Sequence, residues 1–255
     1  MKYLIDDDIQ QRVRITIMSL PSSILKDLMQ GVQPLSTHAA LNALSRLRKE
    51  KLIESFGGRG NTLYRLTNLG RIAAIAQAQQ DSREAFLRDN KDFILTHDIS
   101  GIPDHLLPSI GELKGILGYD STTPMATITA FMQRVTKAAW LKGVSGHIAV
   151  GYIDVVGEIA HRGAEVELVL STEVIGDLPA REVDEMLSLP NFHLYEIETA
   201  RVGLCCMDSG LSLGFPIGDR YDIASDLICG PEALLWGQEL FEWYKRQARE
   251  IKKDG

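Results

Sequence analysis

IESFGGRGNTLYRLTNLG, residues 53–70, sets glycines, an arginine and an asparagine between two runs rich in apolar residues. It reads as a phosphate-cradling loop, a plain surface hairpin, or the wing of a DNA-binding module. A P-loop requires GxxxxGK[ST] between a strand and a helix, so that backbone amides and a lysine meet the phosphates. GGRGNT has no such lysine, and a strand pattern follows it where a helix should start. The dinucleotide fingerprint GxGxxG is absent as well. Residues 52–56 and 62–66 predict two short strands around the GGRGN turn, which makes a hairpin. The neighbouring elements decide between a hairpin and a wing.

Upstream, Pro34 stops one element and Ser36 is an N-cap candidate for a helix reaching about Lys51. Ala40, Leu41, Leu44 and Leu47 recur at spacings of three and four, an apolar stripe, with His38, Asn42, Ser45, Arg46 and Lys49 on the opposite face. Residues 9–20 predict a first helix ended near Pro21. SSILKDLMQGV predicts a short helix that starts at a serine cap, with Gly31 near its end. Downstream, TNLGRIAAIAQAQQ predicts a helix capped by Thr67 or Asn68. The order helix, helix, helix, hairpin, helix over residues 1–80 is that of a winged helix-turn-helix. In that fold Ser36, Thr37, His38, Asn42, Ser45, Arg46 and Lys49 would face a major groove, with Arg59 and Asn61 at the wing tip on the backbone or minor groove. The competing reading is a helical module with a solvated basic face.

Charge supports the division. The 255 residues carry a net charge of −7, but residues 1–80 stand at +5 and residues 81–255 at −12. A basic module on an acidic body suits a nucleic-acid reader with a separate second function. Apolar residues make up 45% and charged residues 24%, within the range of globular domains. No apolar run approaches the roughly 20 residues of a membrane span. Asp6, Asp7 and Asp8 fall where a leader would be apolar, so a cytoplasmic protein is expected, without membrane association. Cys205, Cys206 and Cys229 lack metal-ligand spacing and read as small hydrophobes, with redox sensing as the alternative. No cofactor is expected.

Residues 81–125 read as a helical connector, first the charged amphipathic DSREAFLRDNKDFILTH and then a Pro/Gly-punctuated region. Residues 126–255 read as an α/β domain with a mixed sheet. A helix is expected from Pro124 to Trp140, then strand, helix and strand over 144–171, the strands FHLYEI, GLCCMDS and LSLGFPI, and a long terminal helix from Pro231. The fold class is therefore α+β. An enzyme finds little support. Neither His147 nor His161 has a lysine two residues on, as a phospholipase-D-like nucleophile would, the stretch VSGHIAVG does not fit a GxSxG nucleophile elbow, and HExxH is absent. Candidates for a ligand pocket or interface are His97, Asp98, Asp208, Tyr221, Asp222 and Trp236. Plainer readings compete: Asp98 or Ser100 as a cap, Asp208 as a turn residue, Trp236 as core or dimer interface, while Tyr221, Asp222 and Asp226 either hold a polar ligand or merely order a loop.

The segment NALSRLRKEKLIESFGGRGNTLYRLTNLGR, with Tyr64, Leu66, Thr67 and Gly70 in a YxLTxxG pattern, resembles the winged helix of archaeal transcriptional regulators. THDISGIPDHLLPSIGEL, HRGAEVELVLSTEV and the stretch from MDSGLSLGFPIGDRYDIASDL through LFEWYKRQA are similar to the methanogenesis-regulator (FilR-type) sensor domain. The resemblance implies a DNA-binding transcriptional regulator, dimeric, whose C-terminal domain senses an effector. The expected partners are double-stranded DNA, a second copy of the chain and a small molecule that the motifs do not identify.

Overall fold

The computed structural model describes residues 23–24, 36–57, 62–114, 116–119 and 124–253. The chain divides into two compact units, Met1–Ser82 and Arg83–Gly255.

In the first unit, helix α1 (Thr37–Lys49) opens on Ser36, whose hydroxyl accepts the Ala39 amide at 3.2 Å. Its buried stripe is Ala40, Ala43, Leu44 and Leu47, packed with Ile53, Leu52, Tyr64 and Leu66. Leu41, expected in that stripe, is 42% exposed, and Ala43 takes its place. Arg46, Arg48 and Lys49 occupy the last turn, where cations favour the helix dipole. Lys51 then turns the chain through a left-handed conformation (φ 60°) into strand β2 (Ile53–Phe56). Strand β2 pairs antiparallel with β3 (Leu63–Leu66) in the expected hairpin, and Arg65 and Glu54 form an ion pair across it.

Ser23 and Ile24, expected in a short helix, are extended and form strand β1, paired with Tyr64 and Leu63 on the other edge of β3. Pairing there satisfies edge groups of β3 that an intervening helix would leave to water. The rest of that expected helix, the first helix, Arg59 and Asn61 lie outside the described residues.

Helix α2 (Asn68–Asp89) is continuous where two helices were expected, and the boundary between the units falls within it. No glycine or proline interrupts residues 71–89. Asp81 is accommodated by the Gln77 amide at 3.0 Å, one turn away. The YxLTxxG pattern acquires a physical reason at the helix start. Thr67 Oγ1 accepts the Gly70 amide at 3.0 Å and donates to the Lys51 carbonyl at 2.7 Å, while the Thr67 amide donates to the Leu52 carbonyl at 3.0 Å. Gly70 is buried, and a Cβ there would overlap the Leu52 carbonyl oxygen.

The second unit is a mixed eight-stranded sheet covered on both faces. Its strands are β4 (Ile116–Tyr119), β5 (Trp140–Ser145), β6 (Glu165–Ser171), β7 (Phe192–Ile197), β8 (Gly203–Met207), β9 (Gly210–Ile217), β10 (Arg220–Cys229) and β11 (Arg249–Ile251), in the order β11-β7-β6-β5-β8-β9-β10-β4. Strands β5, β6 and β7 are parallel, and the remaining pairings are antiparallel. The parallel crossovers are α5 (Tyr152–His161), then α6 (Thr172–Asp177) with α7 (Ala180–Met186). Alternation along each strand splits the core. Val144, Val169, Leu204, Cys206, Leu211, Leu213 and Phe215 pack with α8 (Leu234–Lys245), whereas Leu141, Val166, Leu168, Leu170, Cys205 and Met207 pack with α5 and α4 (Pro124–Thr136).

Several expectations for this unit are corrected. The helix from Pro124 ends at Thr136, and Trp140 begins β5. Residues 147–149, expected as strand, form a loop; Gly146 before it could not carry a Cβ beside the Ala200 carbonyl, and Gly151 after it needs φ +80°. RYDIASDL, expected as a loop, belongs to strand β10. The terminal helix stops at Lys245 because residues 249–251 pair with β7. The 81–125 region, with helix α3 (Lys91–Thr96), is part of this unit's core rather than a bare connector: Phe86, Phe93, Ile102, Leu106, Ile110 and Leu113 are buried, and β4 extends the sheet. Trp236 Nε1 donates to the Leu106 carbonyl at 3.2 Å and Tyr244 Oη to the Gly101 carbonyl at 2.8 Å, fastening that irregular segment down.

Candidate functional site

Two places carry chemistry, one in each unit. On α1, Ser36, Thr37, His38, Asn42, Ser45, Arg46 and Lys49 are all exposed, opposite the buried stripe. The Asn42 side-chain amide lies 3.2 Å from His38 Nε2, one turn away, so these two groups are ordered together. Arg46 and Lys49 follow along the same face. The result is a helix face with hydrogen-bonding groups at its N-terminal half and cations at its C-terminal end, followed directly by a hairpin.

In the second unit the structure separates the candidate residues. Asp98 is a cap: its Oδ1 accepts the Ser100 amide at 2.9 Å and Oδ2 meets Arg201 at 2.6 Å. The Ser100 bonds, reinforced by Arg201 against a small desolvation cost, hold its carboxyl below the usual range. Asp208 accepts the Ala139 amide at 2.9 Å, a turn function. His97 stacks on Phe93 with centroids 3.9 Å apart, and its Nε2 lies 3.2 Å from Asp222 Oδ2. Trp236, 1% exposed, is a core residue. Of the six, Tyr221 lines a cavity.

That cavity, of about 90 Å³, lies between the sheet and helices α4 and α5. Its floor is made by strand register. One cross-strand row runs Leu168, Gly143, Cys205, Ser212, and the next runs Leu170, Ser145, Gly203, Gly214, Asp226. Small residues at the centre of both rows leave the hollow. Ile128 and Phe131 of α4, Tyr152 of α5 and Ile148 of the loop complete the wall. A register shift in β10 between Tyr221 and Asp226 lays the Tyr221 ring over the sheet, where its hydroxyl occupies the space that a Cβ on Gly203 or Gly214 would need. His147, at the exposed rim, stacks on that ring with centroids 5.7 Å apart.

Asp226 is the charged group of the cavity. Ser212 Oγ donates to its Oδ2 at 2.8 Å, while its buried Oδ1 has no partner among the described residues. Burial pushes the carboxyl up to about 6, opposed by the Ser212 bond and helped by the charge of Asp222. Burial also raises the Tyr221 and Tyr152 phenols and pushes the Cys205 thiol up to about 12. Cys205 is therefore a neutral thiol, not a nucleophile. Cys229 is likewise pushed to about 12 by burial, and all three cysteines are buried and unbridged. Among the described residues no cluster of His, Cys, Asp and Glu could hold a metal ion, and no helix is long and apolar enough to cross a membrane. Sequence reasoning named Tyr221 and Asp226 but missed Ser212 and the glycine floor. The signal was present in GLSLGFPI, where Gly210, Ser212 and Gly214 alternate with Leu211, Leu213 and Phe215.

Comparison with known proteins adds the following. Residues 124–247 match the family model described as the methanogenesis regulatory protein FilR1, middle domain. The methanogenesis regulatory protein FilR1 of Methanothrix harundinacea (strain 6Ac) is 29% identical over 236 residues, 88% of this chain and 52% of that protein. The chain thus spans about half the length of this curated relative. Both descriptions are of a regulatory protein. Among solved structures, TrmBL2, an archaeal chromatin protein described as showing a novel mode of DNA binding, aligns over 95% of this chain and 94% of its own, with 13% identity and a TM-score of 0.45. Nuc, a phospholipase D family member from Salmonella typhimurium, aligns over 54% of this chain and 97% of its own, with 13% identity and a TM-score of 0.40. The chain is thus similar, over most of its length, to a methanogenesis regulatory protein, and the span matched by the middle-domain model contains all the described residues that line the cavity.

Proposed function

We propose that the chain is a non-enzymatic, DNA-binding transcriptional regulator, with a winged helix-turn-helix in residues 1–80 and a sensor of a small-molecule effector in the remainder. The observation that carries it is the exposed face of α1, polar at its start and basic at its end, immediately ahead of a β-hairpin. The regulatory description of the relative agrees with it. Thr37, His38 and Asn42 carry base discrimination, where a good bidentate contact is worth roughly 1–3 kcal/mol. Arg46, Lys49 and Arg59 meet phosphates and set affinity and salt dependence. The reader acts as a homodimer on two half-sites. In support, Leu69, Ile72 and Ile75 of α2 are 56%, 68% and 51% exposed at spacings of three, an apolar stripe suited to a second copy.

The test is binding to DNA upstream of the chain's own gene across a salt series, for the intact protein and an Arg46→Ala, Arg59→Ala double variant. Tight binding that weakens steeply with salt is expected, with the slope of log affinity against log salt shallower by about 2 in the variant. Binding that ignores salt, or no binding at any salt, would remove the DNA-reading assignment.

A further inference from the structure

The cavity over β5, β8, β9 and β10 specifies more than the existence of an effector. Its walls are apolar, chiefly Phe131, Leu168 and Leu170, and among the described residues no lysine or arginine lines it. Its floor holds one carboxylate whose Oδ1 is buried and lacks a partner among the described residues. Beside that oxygen stand two further acceptors. Ser212 Oγ spends its proton on Asp226 Oδ2 and keeps its lone pairs. Tyr221 Oη and Asp226 Oδ1 both crowd the point where a Cβ of Gly214 would sit, so these two oxygens converge.

The geometry points to a binding site for a small primary amine, its ammonium held by Asp226, Ser212 and Tyr221 and its short branched aliphatic tail packed against Phe131, Leu168 and Leu170. A primary ammonium has three N–H donors and no acceptor, which matches a set of convergent oxygens. It also supplies the opposite charge that a buried carboxylate otherwise lacks. The size follows from the volume: a cavity of roughly 150 Å³ takes benzene, so 90 Å³ suits a tail of about four carbons. The other buried polar atom without a partner among the described residues, Arg134 Nη1, belongs to a side chain that does not line the cavity. Its charge acts on Cys205 of the cavity floor but is not among the causes that shift Asp226, and its presence on α4 makes an anionic ligand the alternative to test. The inference deepens the sensing role proposed above and rests on that reading for its consequence at DNA; binding itself is read without DNA.

Isobutylamine, isobutanol and isobutyrate share a branched four-carbon skeleton and differ in the polar group at its end. Each is titrated calorimetrically into the full chain at neutral pH, with probe near ~10 mM, as suits a ligand of about five heavy atoms. The amine is expected to bind at least about tenfold more tightly than the alcohol, and the carboxylate not at all. Asp226→Asn should bind amine and alcohol equally, and Ile128→Trp, which puts a larger ring at a half-buried position lining the cavity, should weaken both. Equal binding of isobutanol and isobutylamine to the intact chain would reduce the site to an apolar hollow and overturn the proposal. So would a preference for isobutyrate, amine binding indifferent to both variants, or no binding of any probe. Amine binding without salt-dependent DNA binding would retain the site and defeat the regulator; the reverse pair of results would do the opposite.

Discussion

Replacing Asp226 by asparagine should stabilise the second unit, and the gain should depend on pH. The folded carboxyl stands at about 6 against an ordinary value of 3.8, a rise of about two units whose leading cause is burial. The folded state therefore holds its proton more tightly than the unfolded chain. The stability linked to that proton is fully present below about pH 4 and is lost as pH rises through about 6. At about 1.4 kcal/mol per unit, the ionised group costs up to roughly 3 kcal/mol at pH 8. Asparagine keeps the shape and leaves the Ser212 hydroxyl an oxygen to bond, so most of that cost should be recovered. For a unit of this size 1 kcal/mol moves the midpoint by roughly 2–4 °C, which sets the expected gain at about 3–10 °C at pH 8 and near zero at pH 4. Thermal melts of both proteins by circular dichroism across that range provide the measurement. A difference that stays flat with pH, or a variant less stable at pH 8, would mean that a partner already compensates the carboxylate, and the account of the cavity floor would fail.

Three other substitutions probe the packing on which the sites depend. Gly70→Ala forces a Cβ into the Leu52 carbonyl, a backbone group that cannot step aside, and should cost roughly 2–4 kcal/mol, read as a lower urea midpoint. Gly237→Ala gains about 1 kcal/mol of helix propensity but places its Cβ 2.6 Å from Leu211 Cδ2 and 2.7 Å from Cys206 Sγ, so a net loss of about 1–2 kcal/mol is expected in the same assay. Ile72→Glu puts a charge in the exposed α2 stripe and should shift the protein to monomer in sedimentation velocity without lowering its melting midpoint; an unchanged sedimentation coefficient would place any dimer contact elsewhere.

Where one residue type settles the local physics, the sequence was readable. Ser36 caps α1 because its hydroxyl can take a free amide, and Thr67 with Gly70 fixes the start of α2 because one side chain and one missing Cβ meet the same turn. Gly237 within α8 has an equally local reason, since Leu211 and Cys206 fill the space a Cβ would need. What failed depended on pairing across the sheet. Ser23 and Ile24 are a strand because β3 is there to receive them, and two residues carry no period of their own. RYDIASDL looks like a loop because its register shift breaks the alternation that would mark a strand. The cavity was half visible. Tyr221 and Asp226 stood out as polar groups, but the row Gly143, Cys205, Ser212 exists only once three strands are aligned.

The two sites test different things, and their coupling tests the regulator. Along β9 the same backbone presents Leu211, Leu213 and Phe215, all nearly inaccessible, to one face and Gly210, Ser212 and Gly214 to the other. Strand propensity cannot explain that contrast, since both rows share one strand. A hollow beside a poorly compensated carboxylate forgoes packing that larger side chains would supply, which is the pattern of a site kept for a ligand rather than for stability. If the ligand regulates, isobutylamine must change the affinity for DNA in the intact chain and leave it unchanged in Asp226→Asn. Linkage then requires that DNA alter the affinity for the amine by the same factor, commonly about 5- to 150-fold for coupled sites. Equal factors measured from both directions would join the α1 face and the cavity in one thermodynamic cycle. A factor of one from both directions would leave two independent binding sites and no effector-controlled regulator.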